Sequence, residues 1–448
     1  MSRGQKIIAT FVRYCRRTRV PIIYDRRENF QTNVHRQLYE RISSSELHSC
    51  VAACKMHAIE KPYYKINRIV LMSLGLWPYQ QSYLVRVQNV LFIVILTSYI
   101  IVQLLVLVTT QYDSNLLLRV LSLTFPNIFV TIKYCLYVVQ ANSVKQLLDK
   151  IHDDWNSLRN KVEIKIIKKY ARYGRFFTMI TMLLCYLGII VCAVFQFLPI
   201  ILDIVSPLNE SRPRQLVTDT EYFVNQDKYF YTLVMHEVVT GSIGAIAMCI
   251  TVTTLMMYIH HACALFKITS YRIENAIEKN MLMIPGPTRD YVFHQRIVHA
   301  VIIHQRATEF IRYLTSDIMT SYVVLIIIGV GSLSLNLFQL LQLVTLTDNI
   351  SEMFIFAILV IGHLGYMFIV NYGGQKVMEH GADLFKSIYS VPWYAAPLRT
   401  QKLLLFIMQK GTRNVSLTCG GIFITSLECF ASMISTAVSY FMVIYSTR

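Results

Sequence analysis

An all-α, polytopic membrane protein with seven transmembrane helices, a cytoplasmic N-terminus and an extracellular C-terminus is what this sequence predicts, and three observations predict it. Of its 448 residues, 54% are hydrophobic and only 15% are charged, where soluble globular chains carry about 25% charged residues. Apolar runs able to cross a hydrocarbon core of ~30 Å, a crossing that takes about 20 helical residues, recur from residue 86 onward. Lys and Arg collect in alternate loops, which fixes a side.

The first span is Arg86–Thr109. The second is Leu116–Val139, with Phe125 and Pro126 inside it. The third is Phe176–Val205, the fourth Tyr231–His261, the fifth Tyr313–Leu346 and the sixth Met353–Gly373. The last is Cys419–Tyr445. Spans three to five exceed the minimum, which implies tilt or projection beyond the bilayer. The stretch Leu384–Met408 is amphipathic and reads as a helical region outside the membrane. The domains expected are therefore a cytoplasmic N-terminal region (1–85), a seven-helix domain (86–445) containing a cytoplasmic helical region (375–417), and a tail of 446–448.

Residues 1–85 hold 14 of the 43 Lys and Arg, 142–175 hold nine, 263–312 hold seven and 375–417 hold six. Segment 207–230 has only Arg212, Arg214 and Lys228, and 347–352 has none. The basic side is the cytoplasm, so the net charge of +17 calls for no nucleic acid; lipid is the expected surrounding. The N-terminus lacks an apolar core of signal-peptide type, so the first span is expected to act as its own insertion signal. Asn209 and Asn349 begin glycosylation sequons in predicted outside loops, whereas the sequon at Asn414 falls inside. The cysteines lie in apolar segments or the basic N-terminal region, so no extracellular disulfide framework is expected.

Enzyme signatures of the GxSxG, HExxH, P-loop and GxGxxG types are absent, and no catalytic residue or cofactor is expected. His48, Cys50, Cys54 and His57 form HxCxxxCxxH, but structural zinc sites favour tighter CxxC knuckles, so these read as ordinary helix residues and no metal is expected. His294, His299 and His304 recur every five residues, a spacing that drifts around a helix, and read as surface residues. Among polar residues inside spans, Lys133, His236, Glu237, Asp317 and His363 fit interfaces or helix packing. Glu428 is expected to pair within the bundle interior. The last span also carries a weakly polar strip of Ser and Thr, which suits a pore wall when copies meet around an axis.

The C-terminal third resembles one family. Trp393-Tyr394, Gln401-Lys402-Leu403, Leu417-Thr418-Cys419-Gly420-Gly421, Ser426-Leu427-Glu428-Cys429-Phe430, Thr436 and Ser439-Tyr440-Phe441 resemble, in order and spacing, the C-terminal signature of insect odorant receptors. Leu147–Trp155 resembles the loop after span two in such receptors, particularly those of ants and bees. Asn414 stands where the family usually has Pro, and Cys419 where it has Ala.

The resemblance implies a ligand-gated, non-selective cation channel, a heterotetramer with the shared odorant receptor co-receptor in the plasma membrane of olfactory sensory dendrites. The last helix would line the pore. By similarity to the co-receptor tail, Val443 falls at the hydrophobic gate and Ser446 and Thr447 at the outer pore, with Ser439 on the same helix. The short loop over 263–312 points to a ligand-tuning subunit. A small apolar odorant would bind in the outer half of the bundle, where depth selects Phe125, Phe129, Phe195, Met235, His236 and Tyr366. Two other readings compete. A seven-span G-protein-coupled receptor has the opposite orientation and carries a D-R-Y-like triplet or N-P-x-x-Y, neither found here. A gustatory-receptor-like channel usually ends T-Y-x-x-x-x-x-Q-F, whereas Met442 follows Phe441 here.

Overall fold

The computed structural model describes residues 62–80, 82–111, 113–205, 216, 218–276, 286–346, 350–412 and 415–447. The HxCxxxCxxH segment and the sequon asparagines Asn209, Asn349 and Asn414 lie outside the described residues. In chain order the helices are α1 (Lys65–Ser73), α2 (Tyr83–Thr109), α3 (Ser114–Val139), α4 (Ala141–Ser157), α5 (Lys161–Val205), α6 (Gln226–Ala276) and α7 (Gly286–Tyr313). After α7 come a π-turn (Leu314–Ile318) and a 3-10 turn (Met319–Ser321), then α8 (Tyr322–Leu346) and α9 (Ile350–Ser390). A 3-10 turn (Trp393–Ala395) and α10 (Leu398–Thr412) lead to strands β1 (Thr418–Cys419) and β2 (Phe423–Ile424), and then to α11 (Leu427–Ser446). Seven of the helical stretches are long and apolar enough to cross a membrane. The chain is thus a multi-pass, mostly helical protein.

Local chemistry sets the helix starts. Ser82 caps α2 by accepting from the Leu84 N–H at 3.3 Å, and Asp113 caps α3 by accepting from the Asn115 N–H at 3.1 Å. Pro126 sits in the interior of α3. It has no N–H, so the Ser122 carbonyl one turn back loses its helical donor. Asn336 of α8 supplies the replacement, its Nδ2 donating to Ser122 O at 3.1 Å. Asn336 and Ser122 are both fully buried. In a medium without water such a rescue is required, because an orphaned carbonyl has nowhere else to turn.

The helices run well past the bilayer at the basic end. The 51 residues of α6 extend about 77 Å at ~1.5 Å per residue. Its half toward α7 is packed on every side by α5, α7 and α9, and Ile250 through Ile259 are buried without interruption. Polar groups there are matched in pairs. Glu163 of α5 takes two bonds from Arg272 of α6, at 2.7 and 2.9 Å, and is itself buried. Asp154 accepts from His261 at 3.0 Å and lies 3.5 Å from Arg306. Trp155 donates to the Tyr64 hydroxyl at 3.0 Å. Tyr79 donates to Asp149 at 2.8 Å, and burial together with that carboxylate pushes its phenol above the ordinary tyrosine range. His304 belongs to this core too: it is buried, its ring 6.2 Å from that of Phe266. The surface reading of His304 is therefore corrected. His304 falls seven residues after Ile297, on the stripe that also buries Ala300, Val301, Ala307 and Ile311.

The last span is shorter than its hydropathy suggests. Cys419 does not begin the helix. It pairs with Phe423, and Thr418 with Ile424, in a two-stranded antiparallel hairpin. The Ile422 N–H donates to the Cys419 carbonyl at 3.1 Å, with Gly420 at φ +59 and Gly421 at φ +71 between them. Positive φ at both central positions is the requirement of a primed hairpin turn, which explains the paired glycines better than a helix opening does. A side chain at Gly420 would also run into Val323, and one at Gly374 of α9 into Thr425. The hairpin is thereby seated tightly between α8 and α9.

Candidate functional site

Helix α11 starts from that seat. Ser426 is its N-cap, the hydroxyl accepting from the Cys429 N–H at 3.0 Å, and the Ser426 N–H donates to Asn371 Oδ1 of α9 at 3.2 Å. Asn371 is buried and also donates to its own-helix carbonyl of Met367 at 2.9 Å. Beyond the cap, only Met433 and Ala437 of α11 are buried; they pack on Val330, Leu333, Val360 and Met367. At about 100° per residue, Glu428, Ser432, Ser435, Ser439, Val443 and Ser446 fall on the opposite face, and all six are exposed. Thr447, just past the helix, is also exposed. Ser439 and Ser446 satisfy their own hydroxyl protons on backbone carbonyls, Ser435 O at 2.8 Å and Val443 O at 3.1 Å, and keep their lone pairs outward.

Glu428 differs from expectation. It is exposed on this face, not paired inside the bundle, and no basic group pairs with it among the described residues. The first turn of a helix favours a carboxylate there, because the unmatched N–H groups carry partial positive charge. Tyr440 is exposed and Phe441 is half-buried, its ring 6.2 Å from that of Tyr445. Trp393 and Tyr394 stack edge-on at 6.1 Å and are both exposed. Leu398, Leu405 and Ile422 are also exposed.

A cleft opens beside the start of α11. Phe129 of α3 forms one wall with His363 and Tyr366 of α9; Tyr322, Leu325 and Gly329 of α8 form another. Its floor is Asn371, the hairpin residues Cys419, Phe423 and Thr425, and Met433 of α11. The cleft holds about 500 Å³, counting space open to its surroundings. Phe129 meets Tyr366 edge-on at 5.3 Å and His363 at 6.2 Å. Lys133, one turn from Phe129, is buried with its ammonium 3.5 Å from the Tyr322 ring centre and 5.9 Å from that of Tyr366. Among the described residues no carboxylate pairs with it.

Of the six ligand candidates chosen by depth, the structure brings Phe129 and Tyr366 together in the cleft. Phe125 packs toward Gly331, where an added Cβ would lie 3.6 Å from its ring. Phe195 stacks on Phe354 at 4.6 Å, and Met235 is exposed on the helix surface. His236 of α6 is bonded to a strap, residues 218–225, at the end opposite the basic one. The Tyr222 hydroxyl lies 2.9 Å from Nδ1 of His236 and Ser98 lies 3.1 Å from Nε2. Thr218 donates to Glu237 at 3.0 Å and sits 2.7 Å from the Tyr99 hydroxyl. Arg119 ties the strap's Asp219, at 2.8 Å, to Glu352 of α9, at 3.1 Å. Tyr322, His363, Asn371 and Met433 were not among the six. His363 and Tyr366 are three residues apart, one helix face, a spacing in the sequence that would have found their shared wall.

The comparisons with known proteins follow this geometry. The sequence profile described as 7tm Odorant receptor matches residues 113–438. Odorant receptor 10a of Drosophila melanogaster is 23% identical over 190 residues, 42% of this chain and 45% of that protein. The odorant receptor coreceptor of the same fly is 26% identical over 98 residues, 21% of this chain and 20% of that protein. The matched stretches thus span less than half the length of either relative. The solved structure of the insect olfactory receptor OR5 from Machilis hrabei in complex with eugenol superposes with a TM-score of 0.71 at 13% identity, covering 88% of this chain and all of that one. At that identity the likeness is one of fold.

Proposed function

The chain belongs to the 7tm odorant receptor family, a family of receptors and not of enzymes, and on that premise we propose that it is the ligand-tuning subunit of an odour-gated, non-selective cation channel. The observation that carries this reading is the exposed hydroxyl face of α11. Ser432, Ser435, Ser439 and Ser446 lie opposite the Met433–Ala437 face, the one that the other described residues bury. A membrane helix gains nothing by showing such a strip to lipid, whereas several copies around an axis turn it toward water and passing cations. Met442 and Val443, both exposed, bring large apolar side chains to the strip near its far end, where an apolar ring closes a pore by dewetting.

The partner is the shared odorant receptor co-receptor, in a heterotetramer whose contacts form at the basic end. The exposed apolar side chains of Trp393, Tyr394, Leu398 and Leu405 support this, because they fall in the 375–417 region expected to lie outside the membrane. The basic end faces the cytoplasm, by the placement of Lys and Arg, and the strap faces outside. The ligand is a small apolar odorant held near the Phe129–Tyr366 wall, in the plasma membrane of an olfactory sensory dendrite. Whole-cell current in cells expressing this chain with and without the co-receptor, across a broad panel of volatile compounds, is the test. Odour-evoked current only in co-expressing cells is expected. Robust current from this chain alone would refute the tuning role, and silence across the panel despite surface delivery would count against a channel.

A further inference from the structure

The chemistry of the cleft narrows its ligand, and this inference rests on the receptor reading above. Most of the lining is apolar. Asn371 spends its amide on Met367 O and the Ser426 N–H, and Thr425 donates its hydroxyl proton to Leu417 O at 2.9 Å. Besides the hydroxyl of Tyr322 on the opposite wall, two polar groups of α9 are left over. The Tyr366 hydroxyl is buried in the cleft wall without a hydrogen-bond partner among the described residues. His363 places Nδ1 at 2.7 Å from the Leu359 carbonyl. A carbonyl only accepts, so Nδ1 carries the proton, and the neutral ring presents Nε2 as an acceptor. Among the described residues nothing bonds to that nitrogen. One donor and one acceptor therefore sit three residues apart on one face of α9, with Cβ atoms about 5–6 Å apart, and Phe129 packs against both rings.

We propose that this cleft selects small, otherwise apolar hydroxyl compounds, alcohols and phenols, whose single O–H donates to His363 Nε2 while its oxygen accepts from the Tyr366 hydroxyl. A carbonyl or ether oxygen can only accept, which matches Tyr366 and leaves His363 unmet. A hydrocarbon leaves both unmet, and a site with unpaired polar groups rejects the analogue that cannot pair them. The wall at Gly329 is close-packed: a Cβ at that position would come within 3.2 Å of Met367 Cε and 3.3 Å of Phe129.

Phenylethyl alcohol, phenylacetaldehyde and ethylbenzene share one skeleton and differ only at that oxygen, so they are the probes. Two readouts are taken: evoked current with the co-receptor, and the rise in melting temperature of the purified full chain. Potency is expected to fall about tenfold from alcohol to aldehyde and about tenfold again to the hydrocarbon, one hydrogen bond's worth at each step. Tyr366→Phe keeps the ring and removes the hydroxyl; it should erase the aldehyde's advantage over ethylbenzene. His363→Leu should erase the alcohol's advantage over the aldehyde, and His363→Gln, which keeps an acceptor, should restore part of it. A flat ranking in the unmodified chain, or a ranking unchanged in both Tyr366→Phe and His363→Leu, overturns the proposal. Graded melting shifts without current from any probe would keep the selectivity and count against the channel reading instead.

Discussion

Replacing Asn336 with leucine tests the idea that a side chain of α8 stands in for the hydrogen bond that Pro126 removes from α3. The structure fixes what is lost and what is gained. Asn336 Nδ2 donates to Ser122 O at 3.1 Å and to Ser332 O at 2.7 Å, and leucine leaves the Ser122 carbonyl buried and unpaired, at a cost of about 1–3 kcal/mol. The same substitution removes Asn336 Oδ1, which is itself buried without a partner, and so recovers an amount of about the same size. The single variant is therefore a poor reporter, and the cycle with Pro126→Ala is the measurement. Alanine at 126 restores an N–H aimed at Ser122 O. The cost of Asn336→Leu should then fall by about 1–2 kcal/mol relative to its cost beside Pro126. Equilibrium unfolding of the four proteins in mixed detergent micelles reads this coupling directly. Equal costs in both backgrounds, to within about 0.5 kcal/mol, the usual scatter for independent sites, would refute the reasoning.

Other outcomes are expected at the seat, the basic end and the pore face. Gly420→Ala should lower the melting temperature more than Gly421→Ala. Both pay about 1 kcal/mol for positive φ, but only the first meets Val323; the reverse order would discount the hairpin seat. Glu163→Ala, which strands Arg272 beside a buried interface, should cost about 3 kcal/mol and reduce surface delivery, whereas wild-type yield and melting would show that the pair is dispensable. Val443→Ala should produce leak or altered gating in the co-expressed channel, and an electrically silent Val443→Asp would speak against a pore at α11. Deglycosylation should shift the gel mobility of Asn209 or Asn349 sequons but not that of Asn414, and glycan at Asn414 would invert the topology.

The spans were legible because hydropathy integrates over a whole helix, so the errors are confined to ends and faces. The last span was drawn from Cys419 because Cys419, Ile422, Phe423 and Ile424 are as apolar as a helix interior. The paired glycines between them held the turn signal, and hydropathy gives such a signal no weight. His304 was missed by comparing it with other histidines instead of with Ile297 seven residues earlier. The ligand candidates fared unevenly for a similar reason. Depth along a span is readable from the sequence, but direction around it is not: Met235 points to the surface, while Phe129 and Tyr366, chosen on the same ground, meet in the cleft. The polar strip on α11 was visible as composition. That it lies opposite Met433 and Ala437 needed the packing partner, which is a long-range fact.

The long helix α6 carries a consequence for how this chain tolerates change. From Ile250 to Ile259 it has no outward face at all, so a systematic substitution scan there would show uniform intolerance, with no rise and fall every three or four positions. On α11 the same scan would oscillate: positions 433 and 437 would resist while 432, 435 and 439 accepted anything that left ion flow intact. Two helices of one protein would thus accumulate variation by opposite rules, one as a mast closed in on all sides and the other as a wall finished on a single side.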